Sequence, residues 1–517
     1  LDLKKVGSWV YSKHPSTEVL VLKFAVDDGP MQTFTPDMFN GCKCPELWAR
    51  LVSSPSVIFE AFGAFFEWVI YFNNLVARYG WPPISPERWR CAMAASRHLA
   101  LPGFLEGVGS ALGLPVQKDK EGSRIMLKLS KPRKASKNNK DWFHSKASDF
   151  VKLDSYCATD VETHRGVSEA IGMLPLEELM IWQVDQMINR RWVHCDVETI
   201  EGAIHILDII MGQYQDQIAE LTLDKTTGIS AVTKVTQGAR IIEWCTTQGV
   251  HLDNLQAATV DDVLVNGTEV WTLAPDGSCH YCQVPLPPLV KAVLTIRKSA
   301  NKSSVAKYEA MLNRVDRTDN RIRSILTYHG AATGRWSGSG IQIQNYPRGT
   351  FKFRSEKNPT APLLSDALAL VACRDFDGLR AMGDIPEILS TLLRSMLCAA
   401  PGKKLVAADY SQIEARILLW LVGDPGLAIF TTGCCVYKDL ATTIYQVPLA
   451  EITDSQRWVG KQGILGLGYN MGWKRFRDQC AASGVTISDD MAKKVVSTYR
   501  KKYHRVKDYW DSVNSAA

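Results

Sequence analysis

Asp409 is the carboxylate with the most chemically suggestive setting in this chain. It closes the apolar run Leu405–Ala408, which is predicted as a short buried strand. It precedes a run in which Ile413, Ile417, Leu418, Trp420 and Leu421 fit a helix with one buried face. A carboxylate at a strand–helix junction is anchored from both sides and suits a metal ion; otherwise it only punctuates the turn. Ser411 and Glu414 have the spacing of a capping box. Further on, Arg457, Lys461, Leu465 and Tyr469 recur every four residues. On a helix they form a slanting stripe of two cations, an apolar side chain and an aromatic ring. A planar base against Leu465 and Tyr469, with its phosphates on the Arg457 fork and the Lys461 point charge, fits that order. Gly463, Gly466 and Gly468 interrupt the stretch, each costing about 1 kcal/mol of helix propensity. Such glycines suit a place where something approaches the backbone closely. The bland alternative is a surface helix with incidental cations.

Two other places carry chemistry. Tyr156 and Asp160 sit four apart on a predicted helix, where they either share a metal-bound water or make ordinary helix surface. Thr333-Gly334-Arg335-Trp336-Ser337-Gly338 leads into Gln342, Gln344, Asn345, Tyr346 and Pro347. These residues do not build an apolar core. Arg and Gln reach the minor-groove acceptors common to all base pairs, so the stretch reads as a duplex-holding surface or as a polar loop. The most basic segment, Gln117–Lys140, is either a solvated flap, with a loop over its second half, or a phosphate-contacting surface. Cys279-His280-Tyr281-Cys282 has half the ligands of a structural zinc site and no second pair to complete it.

The elements that position these groups divide among several domains, as expected for 517 residues. A net charge of +6 permits a polyanionic partner without requiring one. Thirteen scattered cysteines make no disulfide framework and point to a reducing compartment. No uncharged apolar run reaches membrane-spanning length, and the opening residues carry no signal-peptide pattern. Residues 18–26 and 31–34 are predicted as a hairpin about the turn Asp27–Pro30, and Val57–Phe59 as a further strand. Phe65, Trp68, Val69 and Phe72 then follow a helical period. From about 173 to 330 the pattern is largely helical, with Leu179, Ile181, Val184, Met187 and Ile188 as apolar positions of one helix. Residues 361–371 and 386–397 are predicted helices separated by Arg374–Gly378, and Arg394 lies on the second.

Taken together, these motifs resemble family A DNA polymerases, the group of bacterial DNA polymerase I, in a phage or prophage form. Asp409–Arg416, DYSQIEAR, is similar to that family's motif A, and the Arg457–Tyr469 stripe to its motif B. Ala332–Ser337 and Gln342–Pro347 resemble its primer–template segment, and Tyr156 with Asp160 its third exonuclease motif. The resemblance implies an α/β (multi-domain α+β) chain: an RNase H-like 3′–5′ exonuclease domain over 1–178, thumb and helical region over 179–325, palm over 326–421 and fingers over 422–517, with the palm incomplete. It implies template-directed addition of dNTPs to a primer 3′-hydroxyl by two Mg²⁺ ions, which Mn²⁺ can replace. Asp409 and the Tyr410 carbonyl would be metal ligands. Glu414 would be a steric gate against ribose beside Tyr469, and Arg457 and Lys461 would bind the triphosphate, Lys461 also protonating pyrophosphate. Leu465 would face the nucleotide. Arg335, Gln344, Asn345 and Arg394 would contact DNA or support the site. Implied partners are primer–template DNA and dNTPs, with no membrane, in a monomer of the bacterial host cytoplasm or nucleoid.

The departures are specific. Leu465 replaces an aromatic residue, Asn470 a glycine, and Cys435 and Tyr437 an aspartate and a histidine of the family pattern. No HDE-type motif C follows Tyr469, and the family's DxE first exonuclease motif would fall before Leu1. The second exonuclease motif is matched only by Phe62–Glu67, with Gly63 in place of asparagine, so Glu67 is its one candidate acid. The sequence therefore reads as a polymerase truncated at both ends and inactive or weak as it stands. A DNA-binding remnant and a single-subunit phage-type RNA polymerase are the competing readings; Glu414 speaks against the latter, which carries a small gate residue.

Overall fold

The computed structural model describes residues 1–36, 41–115, 120–131, 144, 146–273, 279–300, 304–347 and 349–516. They form two compact units, Leu1–Leu405 and Val406–Ala517.

The first unit opens with the helix Leu3–Lys13, and the expected hairpin follows, shorter than predicted: Leu22–Phe24 pairs antiparallel with Gln32–Phe34. Gly29 closes its turn by donating to the Val26 carbonyl at 2.8 Å. The strand Phe59–Ala61 lies parallel to Trp89–Cys91. The helix Ala64–Ile70 then runs into a π-helical turn, Tyr71–Val76. Trp48, Phe59, Trp68, Tyr71, Trp81 and Trp89 supply most of the core here. The helices Ala147–Ile171 and Leu176–Arg191 follow. The first half of the basic segment holds the helix Lys120–Leu129; residues 132–140 lie outside the described residues.

A four-stranded antiparallel sheet forms the second core of this unit, in the order Val315–Asp316, Arg321–Ile322, Val193–Cys195, Leu397–Cys398. The helix Val197–Leu221 leaves the Val193–Cys195 strand through an Asp196 cap, whose carboxylate accepts from the Thr199 amide at 3.1 Å. Its buried face, with Ile200, Ala203 and Ile206, packs with Tyr308, Met311, Ile322 and Leu389. Between the predicted helices 361–371 and 386–397, Asp375 caps a further short helix, Phe376–Met382. The Cys279–Cys282 stretch is a strand, Cys279–Val284, paired with Thr268–Leu273.

The second unit is all helical among the described residues. Ile413–Leu421, Val436–Tyr445, Asp454–Leu467, Trp473–Ala482, Asp489–Lys502 and His504–Ala516 enclose a core that includes Leu419, Leu440, Val459, Phe476, Val495 and Tyr503. The Asp454–Leu467 helix lies tightly on Val436–Tyr445. A Cβ at Gly460 would stand 2.2 Å from the Tyr437 carbonyl oxygen, and one at Gly463 3.0 Å from Leu440. We expect Gly460→Ala to destabilise this unit by about 1–3 kcal/mol through overpacking, despite alanine's better helix propensity. Gly472→Ala, whose Cβ meets nothing within 4 Å, is the control. Equal melting temperatures for the two variants would contradict this account.

Two expectations fail at the Asp409 junction. Leu405–Ala408 is neither strand nor buried: Val406 is 93% exposed. A strand needs a neighbour to satisfy its backbone groups, and none of the described strands lies alongside. The helix Ile413–Leu421 forms, but it buries Ala415 and Leu419, while Ile413, Ile417, Trp420 and Leu421 are exposed. Which face is inside is set by the helices packed against it, and the smaller side chain Ala415 faces them.

Candidate nucleotide and nucleic-acid site

The helix that carries the cationic stripe begins with a true capping box. The Gln456 amide donates to Thr453 Oγ1 at 3.3 Å, and the Thr453 amide donates to Gln456 Oε1 at 3.0 Å. Two of the otherwise unpaired amides at the helix start are thereby satisfied. The Thr-x-x-Gln signal stood in the sequence and was missed. At Ser411–Glu414 the capping box is absent: the helix there is capped by Gln412 in a left-handed conformation, with no side-chain cap bond. Ser411 offers its carbonyl to Arg416 Nε at 2.8 Å instead.

Arg457, Lys461 and Leu465 lie at successive four-residue steps along Asp454–Leu467, all half-buried. Tyr469 does not continue the helix. The helix ends at Leu467, the Tyr469 amide turns back to the Gly466 carbonyl, and the side chain is 69% exposed. Asn470 follows at φ +57°, a left-handed conformation that glycine and asparagine adopt more easily than other residues. The Arg500 guanidinium donates to its side-chain oxygen at 3.2 Å. Gly460, Gly463, Gly466 and Gly468 are buried. What approaches their backbone is protein: Tyr437 and Leu440 at the first two, Met471 and Leu418 at the others.

Arg457 is held over the Tyr437 ring, 5.5 Å from its centroid. Cys435, the N-cap of the Val436–Tyr445 helix, stands beside it. Burial raises the Cys435 thiol pKa, but the Lys438 and Tyr437 amides and then Arg457 outweigh it, so the net shift is downward. Gln412 Nε2 lies 3.9 Å from the same sulfur. The Tyr437 hydroxyl is pushed up by burial and by Cys435, opposed by Arg457, and pushed up again by Glu414. Glu414, Cys435, Tyr437 and Arg457 thus converge at one end of the stripe. At the other, Leu418, one turn after Glu414, meets Gly468, next to Tyr469. Asp409 and Tyr410 sit apart from any such cluster, exposed on a segment without regular secondary structure, Tyr410 at 80%.

Arg335, Gln344 and Asn345 belong to the first unit. The short strands Leu326–Thr327 and Ser337–Gly338 pair, and Arg335 lies in the loop between them. The loop is closed by Ala331, whose amide donates to the Arg335 carbonyl at 3.0 Å. Gln344 and Asn345 lie on the 3₁₀ turn Ile343–Asn345. A Cβ at Gly338 would come within 2.3 Å of Gln344 Oε1, so this strand and the Gln344 side chain are in direct contact. All three side chains are exposed. Arg394 braces the same turn: Nη2 donates to the Tyr346 carbonyl at 2.9 Å and Nε to that of Pro347 at 3.3 Å.

The supports of this surface were not legible in the sequence. Asp185 and Asn189 are buried on Leu176–Arg191, while the apolar Ile181, Val184 and Met187 face outward. Asp185 accepts from Trp336 Nε1 at 2.8 Å, and burial pushes its carboxyl pKa up to about 6. Asn189 takes the Leu326 amide at 2.9 Å and donates to the Leu326 carbonyl at 3.1 Å, acting as a strand edge for the hairpin. Asp185 and Asn189, one turn apart on the same face as Leu179 and Trp182, were the available signal.

Glu67, Tyr156 and Asp160 also come together in the first unit. Tyr156 is buried, and its hydroxyl pKa is raised by burial and by the charge of Asp160, to which it hydrogen-bonds. Glu67 is exposed as a residue, yet its carboxyl is hemmed in: desolvation, then the Asp160 charge, raise its pKa. His164, one turn beyond Asp160, is kept neutral by burial, its pKa pushed down to about 4.

A profile of DNA polymerase family A matches residues 282–517. The DNA polymerase of Bacillus phage SP02 is 30% identical over 529 residues, spanning 100% of this chain and 74% of that protein. DNA polymerase I of Chloroflexus aurantiacus is 26% identical over 227 residues, 44% of this chain and 20% of that protein. Against such bacterial enzymes the chain spans only about a fifth of the relative's length. Among solved structures, the POL domain of Pol1 from M. smegmatis, in complex with DNA primer–template and dNTP, is similar at a TM-score of 0.53 and 17% identity. That similarity covers 96% of this chain and 72% of the other.

Proposed function

The chain belongs to DNA polymerase family A, with the multidomain α+β fold of that family, and from that premise we propose that it serves template-directed addition of dNTPs to a primer 3′-hydroxyl. The observation that carries this reading is the Asp454–Leu467 helix, which presents Arg457, Lys461 and Leu465 in steps of four beside Glu414 and Tyr437. In this reading Arg457 and Lys461 grip the triphosphate, Lys461 donates a proton to the leaving pyrophosphate, and Leu465 and Tyr469 flank the base. Glu414 excludes a ribose 2′-hydroxyl. Arg335 and Gln344 hold minor-groove acceptors of the duplex, Asn345 supports the template side, and Arg394 acts by positioning their turn. The division into exonuclease-like, thumb, palm and fingers regions at 178, 325 and 421 belongs to the same proposal. So does the proofreading role of Glu67, Tyr156 and Asp160, which their convergence supports. No described helix is long and apolar enough to cross a membrane.

Two-ion phosphoryl transfer supplies Lewis acidity at the attacking and leaving oxygens and needs carboxylates on both sides of the ion pair. Asp409 and the Tyr410 carbonyl do not fit that requirement by themselves. Asp409 is exposed, and it belongs to no cluster of three metal-ligating side chains among the described residues.

Binding tests the reading without requiring turnover. On a dideoxy-terminated primer–template, the dNTP complementary to the next template base should tighten the complex, and the three mismatched dNTPs should not. The matching rNTP should fail with Glu414 present and succeed with Glu414→Ala. DNA binding indifferent to nucleotide identity would favour the DNA-binding remnant, and preference for rNTP the RNA polymerase. Arg335→Ala should weaken primer–template binding by about tenfold, the scale of one lost bidentate base contact. Wild-type affinity in that variant would remove Arg335 from the interface.

A further inference from the structure

His98, Glu178 and His329 are far apart in the sequence, and the first unit brings their ligand atoms within 4.8 Å of one another. They come from three different elements. His98 ends the helix Ala92–His98, Glu178 lies in the first turn of Leu176–Arg191, and His329 follows the strand Leu326–Thr327. Two imidazoles and a carboxylate are a donor set for a borderline transition-metal ion rather than for Mg²⁺.

Four further observations point the same way. His98 Nδ1 is buried with no hydrogen-bond partner, an unfavourable state for a polar ring atom unless a ligand satisfies it. No hydrogen bond joins either imidazole to the Glu178 carboxylate among the described residues, so the three groups converge without bonding one another. Glu178 is oriented from behind by the Tyr328 hydroxyl, which donates to its Oε2. A carboxylate fixed by an outer hydrogen bond is the usual supporting arrangement of a metal ligand. His329 itself is held at φ +44°, in the left-handed region, between the stacked Tyr328 ring at 4.3 Å and the backbone at Gly334.

We propose that His98, Glu178 and His329 form a binding site for one divalent transition-metal ion of the Zn²⁺ class. Ligand atoms around tetrahedral zinc stand about 3.4 Å apart, given bonds near 2.1 Å, so small side-chain rotations close the site. All three residues are half-exposed, which leaves a fourth position for water. The ion ties the helix Ala92–His98 and the helix Leu176–Arg191 to the loop that carries Arg335, and so stiffens the root of that loop.

The test uses the 517-residue chain, stripped with a chelator and kept in excess Mg²⁺ to occupy hard oxygen sites. Titration with Co²⁺ should show one tight equivalent with visible ligand-field bands of a nitrogen–oxygen site, displaced by Zn²⁺. There should be no thiolate charge-transfer band, which separates this site from the free cysteines. Glu178→Gln and His98→Gln, which keep the size and polarity of the site, should lose the tight equivalent while melting like the stripped parent chain. Tyr328→Phe should weaken Co²⁺ binding by about 10- to 100-fold, as outer-shell substitutions do. Asp409→Asn should leave the equivalent unchanged. Absence of a stoichiometric Co²⁺ complex, a thiolate spectrum, or an unchanged spectrum in Glu178→Gln and His98→Gln would overturn the proposal.

Discussion

Supplied with Mg²⁺, all four dNTPs and a primer–template, the 517-residue chain is expected to extend the primer at least about 10³-fold more slowly than its phage SP02 relative. The reason is electrostatic. Two divalent ions placed about 4 Å apart repel strongly and are held only by carboxylates that bridge or flank them. Asp409 offers one carboxylate from an exposed segment without regular secondary structure. Failure to hold an ion that stabilises transition-state charge costs several kcal/mol, and about 4 kcal/mol is a thousandfold in rate. Primer extension followed on a sequencing gel reads this directly. Robust extension that Asp409→Asn abolishes would falsify the expectation and show that Asp409 finds its partner within these residues.

Loss of the stripe's cations should show in nucleotide affinity. Arg457→Ala and Lys461→Ala are each expected to weaken dNTP binding by about 10- to 100-fold, the range of a charge-assisted hydrogen bond of about 1.5–3 kcal/mol. The complementary-dNTP stabilisation of a dideoxy-terminated complex measures it. Arg457→Lys should recover only part of the loss, because a lysine lacks the planar fork. Arg457 also lies over Tyr437 and beside Cys435, so its removal changes local packing. Lys461 stacks on no aromatic ring among the described residues, and its substitution isolates the phosphate contact. Unchanged affinity in Lys461→Ala, with an unchanged melt, would take the stripe out of the nucleotide site.

The reactive chemistry of the departures also becomes concrete. Cys435, where the resemblance implies an acid, caps a helix N-terminus beside Arg457, and its thiol pKa is shifted downward. Asn470, where the family pattern has glycine, sits in a left-handed conformation that asparagine tolerates. Both substitutions preserve a local physical property of the position while changing its chemistry.

Local periodicity was enough to determine some of this protein from sequence alone. The hairpin about Asp27–Pro30, the helix that carries Arg457, Lys461 and Leu465, and the polar Arg335–Asn345 stretch follow from residue types a few positions apart. So does the family, whose motifs are short and ordered along the chain. Tertiary structure decided what local spacing does not encode. It turned Ala415 and Leu419 inward and left Ile413, Ile417 and Trp420 outside, because burial depends on what packs against a helix rather than on its own pattern. It left Leu405–Ala408 exposed, because a strand exists only with a neighbour. It gave the glycines of the stripe to helix packing, with the Tyr437 carbonyl filling the space a side chain at Gly460 would need. It brought His98, Glu178 and His329 to one point, a coincidence of three elements that no spacing along the chain foretells. Asp409 keeps its carboxylate and its motif, but the surroundings that make a carboxylate a metal ligand are long-range.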